Sequence, residues 1–329
     1  MKLNRRNQMT FYDFDLEKQI AGKHPLWDIE QLIRFSSLLY RLKDLKTEVG
    51  RTGYGLECGL RCMYLQFHYD LSDRQLEERL RFDQAFKWFA GFTAFEQTAD
   101  HSFFCRFRKL VGTKRIGNIF QTITNRSKKA GILRQVFKFV DATAIETKRT
   151  TWEERDKALR EGEDRLNNQN IKKYSADSQA RYGCKGKSKF WFGYKGHASV
   201  DMGSGLIDRI AGTPANVTDQ DGFKHICPRS GEMTFGDKSY CLKPAQDEMT
   251  KRGAKSAAIL KNNMKVKNKD LDRWRTSARA PFEGVFSKFK KRARYRGLAK
   301  VQMQLFMDAI VHNVKRLVAI NAPPLPIGA

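Results

Sequence analysis

The chain has 329 residues, 40% of them hydrophobic and 12% aromatic, with 62 Lys and Arg against 36 Asp and Glu, a formal charge of +26. That length allows one large or two ordinary domains with a real core. The charge points to a polyanionic partner, nucleic acid first, over a merely soluble basic protein. No lipidation signal turns it toward an anionic membrane surface, and no run of about 18 apolar residues could span one.

Met1-Lys-Leu-Asn-Arg-Arg6 is basic but leads into polar residues, unlike a secretory signal. Cys58, Cys62, Cys105, Cys184, Cys227 and Cys241 form no Cys-x-x-Cys pair, and no His stands at zinc-ligand spacing from them. They read as reduced, mostly buried thiols of a cytosolic protein.

Taken in order, residues 25–48 carry Leu26, Ile29, Ile33, Leu38, Leu42 and Leu45 at mostly helical spacing and predict one helix, stopped by Gly50 and Gly53. A second helix follows through Leu56, Leu60, Met63, Tyr64 and Phe67. Ser72 with Gln75 reads as a capping box opening a third. Asp83 caps a short fourth over Gln84 to Ala90, and Gly91 stops it. Asp100-His-Ser102 leads into Phe103–Val111, where Arg106, Arg108 and Lys109 supply charge, and Lys114–Ala130 predicts a basic linking helix. Short helices joined by tight turns fit a helix-turn-helix-like DNA-binding domain. They fit equally a bundle that packs on the core or dimerises.

From Gln135 the period changes to that of strands. Val136-Phe-Lys-Phe-Val140 is β-rich, and Asp141 is expected to end it. A polar insertion runs from Thr147 to Lys189. Trp152–Asn167 is expected to be an exposed charged helix, and Tyr182–Lys189 a basic loop, either disordered or a phosphate contact. Phe190–Val200 and Leu206–Ala211 predict strands of a hairpin around Gly203-Ser-Gly205. Next come a short helix at Asp219–Ile226, the strand Met233–Gly236 ending in Asp237, a helix at Lys243–Lys251 and a strand at Ala257–Leu260. A final helix, Ala299–Ile320, packs Val301, Leu305, Ile310 and Leu317 before Pro323-Pro-Leu-Pro326 ends the order. This is the element order of an RNase H-like sheet, in which the first and fourth strands are neighbours, so Asp141 and Asp237 would sit side by side.

Acidic residues form strands poorly, so two strand-end aspartates need a reason: turn or cap, or a metal site. The stretch Arg279-Ala-Pro-Phe-Glu283-Gly-Val-Phe-Ser-Lys-Phe-Lys290 bears on this. It predicts a helix opened by Pro281, with Phe282, Phe286 and Phe289 within about 60° of one another and Glu283 at the stripe's edge, beside the positive end of the helix dipole. Glu283 and Lys290 are either a solvated face or the third carboxylate with its cation.

Together these motifs resemble the DDE transposases of the insertion-sequence 5 family, in the larger group with insertion-sequence 4. Arg279, Glu283 and Lys290 match that family's Tyr-Arg-Glu-Lys spacing, with Thr276 at the Tyr position. Val140-Asp141-Ala-Thr143 and Phe235-Gly236-Asp237-Lys238-Ser239-Tyr240 resemble its two aspartate strands, Ser239 standing for the usual Gly. Tyr194-Lys-Gly-His197 and Thr213-Pro-Ala-Asn-Val217-Thr-Asp219 are similar to further signatures, and the resemblance covers nearly the whole chain.

It implies an α+β protein: a helical domain over 1–134, an RNase H-like mixed-sheet domain over 135–322 with the insertion 147–189, and a tail over 323–329. It implies a bacterial insertion-sequence transposase, cytoplasmic and nucleoid-associated, that cuts at terminal inverted repeats and joins the ends to target DNA. Asp141, Asp237 and Glu283 would hold two Mg²⁺ or Mn²⁺ ions, an all-oxygen set that needs no His or Cys. Arg279, Lys290, Lys288, Lys291, Arg292, Arg294 and Lys195 would touch DNA near the site, and Arg106, Arg108 and Lys109 the repeat. A homodimer or higher oligomer on DNA is expected. Asp177, Asp201, Asp219 and Asp221 are left as turn or capping carboxylates. A nuclease of the same fold and an inactive transposase-derived regulator are the competing readings.

Overall fold

A computed structural model describes residues 11–45, 53–134, 136–147, 152–186, 188–264, 268–287, 289, 291–320 and 323–326. The chain divides into two compact units, Met1–Ile132 with Met307–Ala329, and Leu133–Phe306.

The first unit is helical. Helices α1 (Phe11–Ile20) and α2 (Pro25–Ile33) lead to a 3-10 stretch, Phe35–Leu45, then α3 (Leu56–His68), α4 (Asp73–Phe82), α5 (Gln84–Ala90) and α6 (His101–Lys129). The single helix expected over 25–48 is broken at Arg34, which takes a left-handed conformation at φ 50° and caps α2. The local punctuation came out as read. Ser72 and Gln75 form a reciprocal capping box, Asp83 accepts from two backbone amides of α5, and Gly91 closes that helix at φ 83°. The two helices expected around residue 112 run on as α6, with non-helical geometry at Gly112 between them.

The second unit is a mixed sheet with helices on both faces. Its strands are β1 (Phe137–Glu146), β2 (Arg181–Lys185), β3 (Lys189–Asp201), β4 (Ile207–Pro214), β5 (Met233–Phe235) and β6 (Lys255–Ser256). The order is β2-β3-β1-β5-β6, with β4 sharing β3's outer edge with β2. Setting β2 aside, this is the RNase H-like order. β1 runs antiparallel to β3 and parallel to β5, with Phe139 opposite Phe235.

Strand alternation divides the faces. Val140 points into a core with Phe223, Tyr240, Ala245 and Met249, contributed by α9 (Asp219–Gly222), α10 (Lys243–Arg252) and their flanking turns. Phe139 points the other way, toward α11 (Lys269–Ser287). The described residues of the insertion form regular elements, and Arg181–Lys185 of the expected basic loop is strand β2. The insertion also forms α7 (Trp152–Arg160), shorter than expected, and α8 (Ile171–Tyr174). Buried Asp177 pins it, accepting from the Tyr194 hydroxyl at 2.6 Å and from the Gly297 amide at 3.2 Å.

The last helix, α12 (Leu298–Ala319), begins in the second unit and from Met307 belongs to the first. Within the described part of the tail, 323–326, Leu325 is buried and its amide donates to Leu32 O at 3.1 Å. All six cysteines are free, four of them buried and Cys105 and Cys184 exposed. Among the described residues no helix is long and apolar enough to cross a membrane.

Candidate active site

The site is built on the face of β1 that carries Phe139 and Asp141. Asp141 does not end its strand, as expected, but sits in its middle, opposite Ala198 of β3, and β1 continues to Glu146. Extending the parallel register beyond Phe139 and Phe235 sets Asp141 beside Asp237, just past the end of β5. The ladder to the next segment also continues there, Ile259 N–H donating to Gly236 O at 3.1 Å.

Gly236 is required at this turn because a Cβ would lie 2.6 Å from the ring of Tyr240. The Ser239 departure from the family pattern serves Asp237 directly: its amide donates to Asp237 Oδ1 at 2.8 Å and its hydroxyl reaches Oδ2 at 3.4 Å. Asp141 Oδ1 accepts from the Ala142 amide at 2.8 Å. Burial pushes the Asp141 carboxyl up to about 6, and repulsion by Asp237 and Asp219 adds to it. The Ala142 amide and the charge of Lys185 oppose the shift.

Helix α11 lies over this face. Its Trp274 ring sits 5.8 Å from Phe235, and Phe282 and Phe286 sit 6.5 and 5.5 Å from Phe139. The expected phenylalanine stripe thus packs where it was placed, with Phe286 and Phe289 buried. The start of the helix is corrected. Asn268 caps it, accepting from the Asp270 and Leu271 amides at 3.0 and 2.9 Å, and Pro281 lies inside it. Glu283 therefore stands near the C-terminal end and draws nothing from the positive end of the dipole.

Its partner is Arg279, one turn earlier, at 2.9 Å; the Glu283 side chain is 55% exposed. Arg279 itself is largely buried with its guanidinium over the Phe139 ring at 5.6 Å. Arg279 therefore bridges the aromatic floor under Asp141 and the Glu283 carboxylate. Thr276, at the motif's Tyr position, spends its hydroxyl on Asp272 O. Among the described residues no three Asp, Glu, His or Cys side chains are gathered closely enough to hold one ion. The register brings Asp141 and Asp237 together, while Glu283 lies on α11 paired with Arg279.

The remaining expected DNA contacts divide. Lys291 and Arg292 are exposed on an extended segment that pairs with the end of β1 through Glu146, and Arg294 is half-buried beyond them. Lys195 is not a free cation: it pairs with Asp219 at 2.8 Å and lies over Trp191. That pairing, missed in sequence, ties two of the family signatures together, as does the 2.8 Å hydrogen bond between buried His197 Nε2 and the Thr213 hydroxyl. Burial holds His197 down at about 4. Lys288 and Lys290 lie outside the described residues.

In the helical unit, Arg106 and Lys109 are exposed on α6. Arg108 is corrected: it turns inward and grips both oxygens of Asp73 at 2.7 and 2.6 Å, with Gln66 at 3.1 Å. Phe104, Phe107 and Val111 flank it on the buried side of the helix, so the amphipathic pattern, not the charge, set its direction.

The structure is similar to the piggyBac transposase in its synaptic complex with hairpin DNA, at 7% identity over 96% of this chain and 77% of that one, with a TM-score of 0.39. It is also similar to the Mos1 transposase in its paired-end complex with left transposon end, at 10% identity over 95% and 93% of the two chains, with a TM-score of 0.17. In sequence, residues 14–110 match the profile described as "Transposase domain (DUF772)". Residues 134–314, more than half of the chain, match that of the transposase DDE domain, and the chain belongs to this transposase family.

Proposed function

We propose that this transposase is of the insertion-sequence 5 type and mobilises a bacterial insertion sequence. It binds the element's terminal inverted repeats, cleaves the DNA at the ends and joins the freed 3′-OH to target DNA. The observation that carries the reading is the side-by-side placement of Asp141 and Asp237 at neighbouring parallel strands, under a helix bearing Glu283. Two carboxylates this close repel one another, and neither has an ion-pair partner among the described residues. A site of that kind accepts a divalent cation well.

The donor set is all oxygen, which suits Mg²⁺ or Mn²⁺. Two such ions, when bound, lower the pKa of an attacking water and steady the leaving 3′ oxygen. The chain's own part is positional. Asp141 and Asp237 offer oxygens from a rigid sheet, and their backbone partners Ala142 and Ser239 fix the rotamers. Glu283 adds a third carboxylate by turning from Arg279 toward the pair, and the released guanidinium then faces a phosphate. Lys291, Arg292 and Arg294 extend the phosphate contacts beyond β1, and Arg106 and Lys109 serve repeat recognition. Assembly is as a homodimer or larger complex on paired ends, in the cytoplasm with the nucleoid.

The test is incubation with paired inverted-repeat DNA and Mg²⁺ or Mn²⁺. Metal-dependent cleaved and joined products are expected. Cleavage without joining would make the protein a nuclease, and repeat binding without either would leave it a regulator.

A further inference from the structure

One part of the insertion has no role in the chemistry above. Among the described residues, from Trp191 toward its turn β3 has only β2 beside it. β1 stops at Glu146, opposite Gly193, and β4 pairs from Tyr194 onward. The ribbon's base is firmly built: the Tyr182 and Phe192 rings sit 4.9 Å apart, and a Cβ on Gly183 would lie 2.7 Å from Trp191 and from Ala215 O. Its tip is the opposite. Cys184, Lys185, Gly186, Lys189 and Phe190 are all exposed, Phe190 by 64%.

The cross-strand pairs at that tip are poor choices for stability alone. Lys185 stands directly opposite Lys189, a like-charge pair that destabilises a ladder, and Phe190 opposite Cys184 leaves an aromatic ring in water. Neither lysine has an ion-pair partner among the described residues. Both features make sense if an external polyanion with stacking surfaces fills the tip.

We propose that the ribbon tip grips an unpaired DNA strand, Lys185 and Lys189 holding backbone phosphates and Phe190 stacking on a base. The inference rests on the DNA-cleaving reading of the Asp141 site. Stacking on an exposed aromatic tolerates any base, so the grip recognises strand state rather than sequence. A paired duplex hides its base faces and would use the lysines only.

The experiment compares binding of the full chain to two probes. One is a blunt duplex of mixed sequence, and the other is the same duplex ending in a short unpaired thymidine tail. The wild type prefers the tailed probe. Phe190→Ala loses about ten-fold of that preference, the stacking of one base, while blunt-duplex affinity and melting temperature stay as they were. Phe190→Tyr keeps it. Lys185→Ala and Lys189→Ala each lower the salt slope on the tailed probe by about 0.7.

An unchanged preference in Phe190→Ala, or none in the wild type, overturns the grip. Cleavage of repeat DNA by the same preparations is scored separately. A protein that shows the Phe190-dependent preference but never cleaves leaves the grip standing and removes the cleavage reading. Cleavage with an unchanged preference does the reverse.

Discussion

Lys138 and Asp141 share strand β1 and are both shielded charges, yet the fold uses them in opposite ways. Lys138 is fully buried on the face away from α11, and its ammonium meets Asp201 at 3.2 Å, Asp208 at 3.5 Å and Glu232 at 3.7 Å. Two of those acids are themselves tied down. Asp201 accepts from the Ser204 amide and hydroxyl at 2.9 and 2.7 Å, and Glu232 from the Arg229 amide at 2.6 Å. Asp141 faces another carboxylate and makes no ion pair among the described residues. A buried charge with every partner in place specifies structure. A shielded charge whose nearest neighbours repel it stores a demand that a ligand can meet, and such groups concentrate at functional sites.

The largest effects should fall on the Asp141 side and should be functional. Asp141→Asn or Asp237→Asn is expected to abolish cleavage of repeat DNA while repeat binding stays near the wild type. Wild-type cleavage by either variant would remove the assignment. The opposite profile is expected at Lys138. Lys138→Met strands three buried carboxylates and should cost about 3–5 kcal/mol of unfolding free energy, read by denaturant titration. A loss under about 1 kcal/mol would show that the cluster is not the anchor its distances indicate. Arg108→Ala belongs with Lys138 rather than with the DNA contacts. Stranding Asp73 should lower stability by a similar amount, and a stable variant with altered repeat preference would reverse that correction.

Protonation gives a smaller contrast. The Asp141 carboxyl is raised from 3.8 to about 6 in the folded chain. A raised folded value means its favourable contribution is present below the ordinary carboxylate range and is lost as pH rises through about 6. At neutral pH the ionised group costs up to about 3 kcal/mol by linkage. Between pH 5 and pH 7 the wild type should therefore lose stability relative to Asp141→Asn. Parallel pH curves for the two proteins would contradict the burial of that carboxyl. Smallest of all is Arg106→Ala. An exposed base-reading arginine should cost about 1–3 kcal/mol on repeat DNA only, and a phosphate-gripping one about one unit of salt slope on every sequence. Binding at wild-type strength on both would exclude Arg106 from the interface.

The contrast also marks what the chain's sequence makes legible. Local signals read true: the Ser72 box, the Asp83 cap, the Gly91 stop and the Phe282, Phe286 and Phe289 stripe each depend on residues within two turns of one another. The neighbourhood of Asp141 and Asp237 was legible because element order alone fixes which strands of an RNase H-like sheet touch. Asp141's place within its strand was not, because Ala142-Thr-Ala-Ile-Glu146 extends β1 only by pairing with β3. Pro281 was read as a helix start from its own chemistry, but Asn268 and a run of helix formers before it override that preference. Lys138, the Lys195–Asp219 pair and inward-facing Arg108 all depend on partners distant in sequence, which no spacing rule reveals. The passage of α12 from one unit to the other leaves no local mark either.

The most direct measurement is Mn²⁺ binding followed by calorimetry in the wild type, Asp141→Asn and Asp237→Asn, with thermal unfolding of the same samples. The wild type should bind Mn²⁺ and be stabilised by it. Both variants should lose that binding while melting, without metal, at or above the wild-type temperature. Variants that bind Mn²⁺ as the wild type does, or that unfold where the wild type stays folded, would mean that Asp141 and Asp237 are structural residues like Lys138 and that the chemistry lies elsewhere.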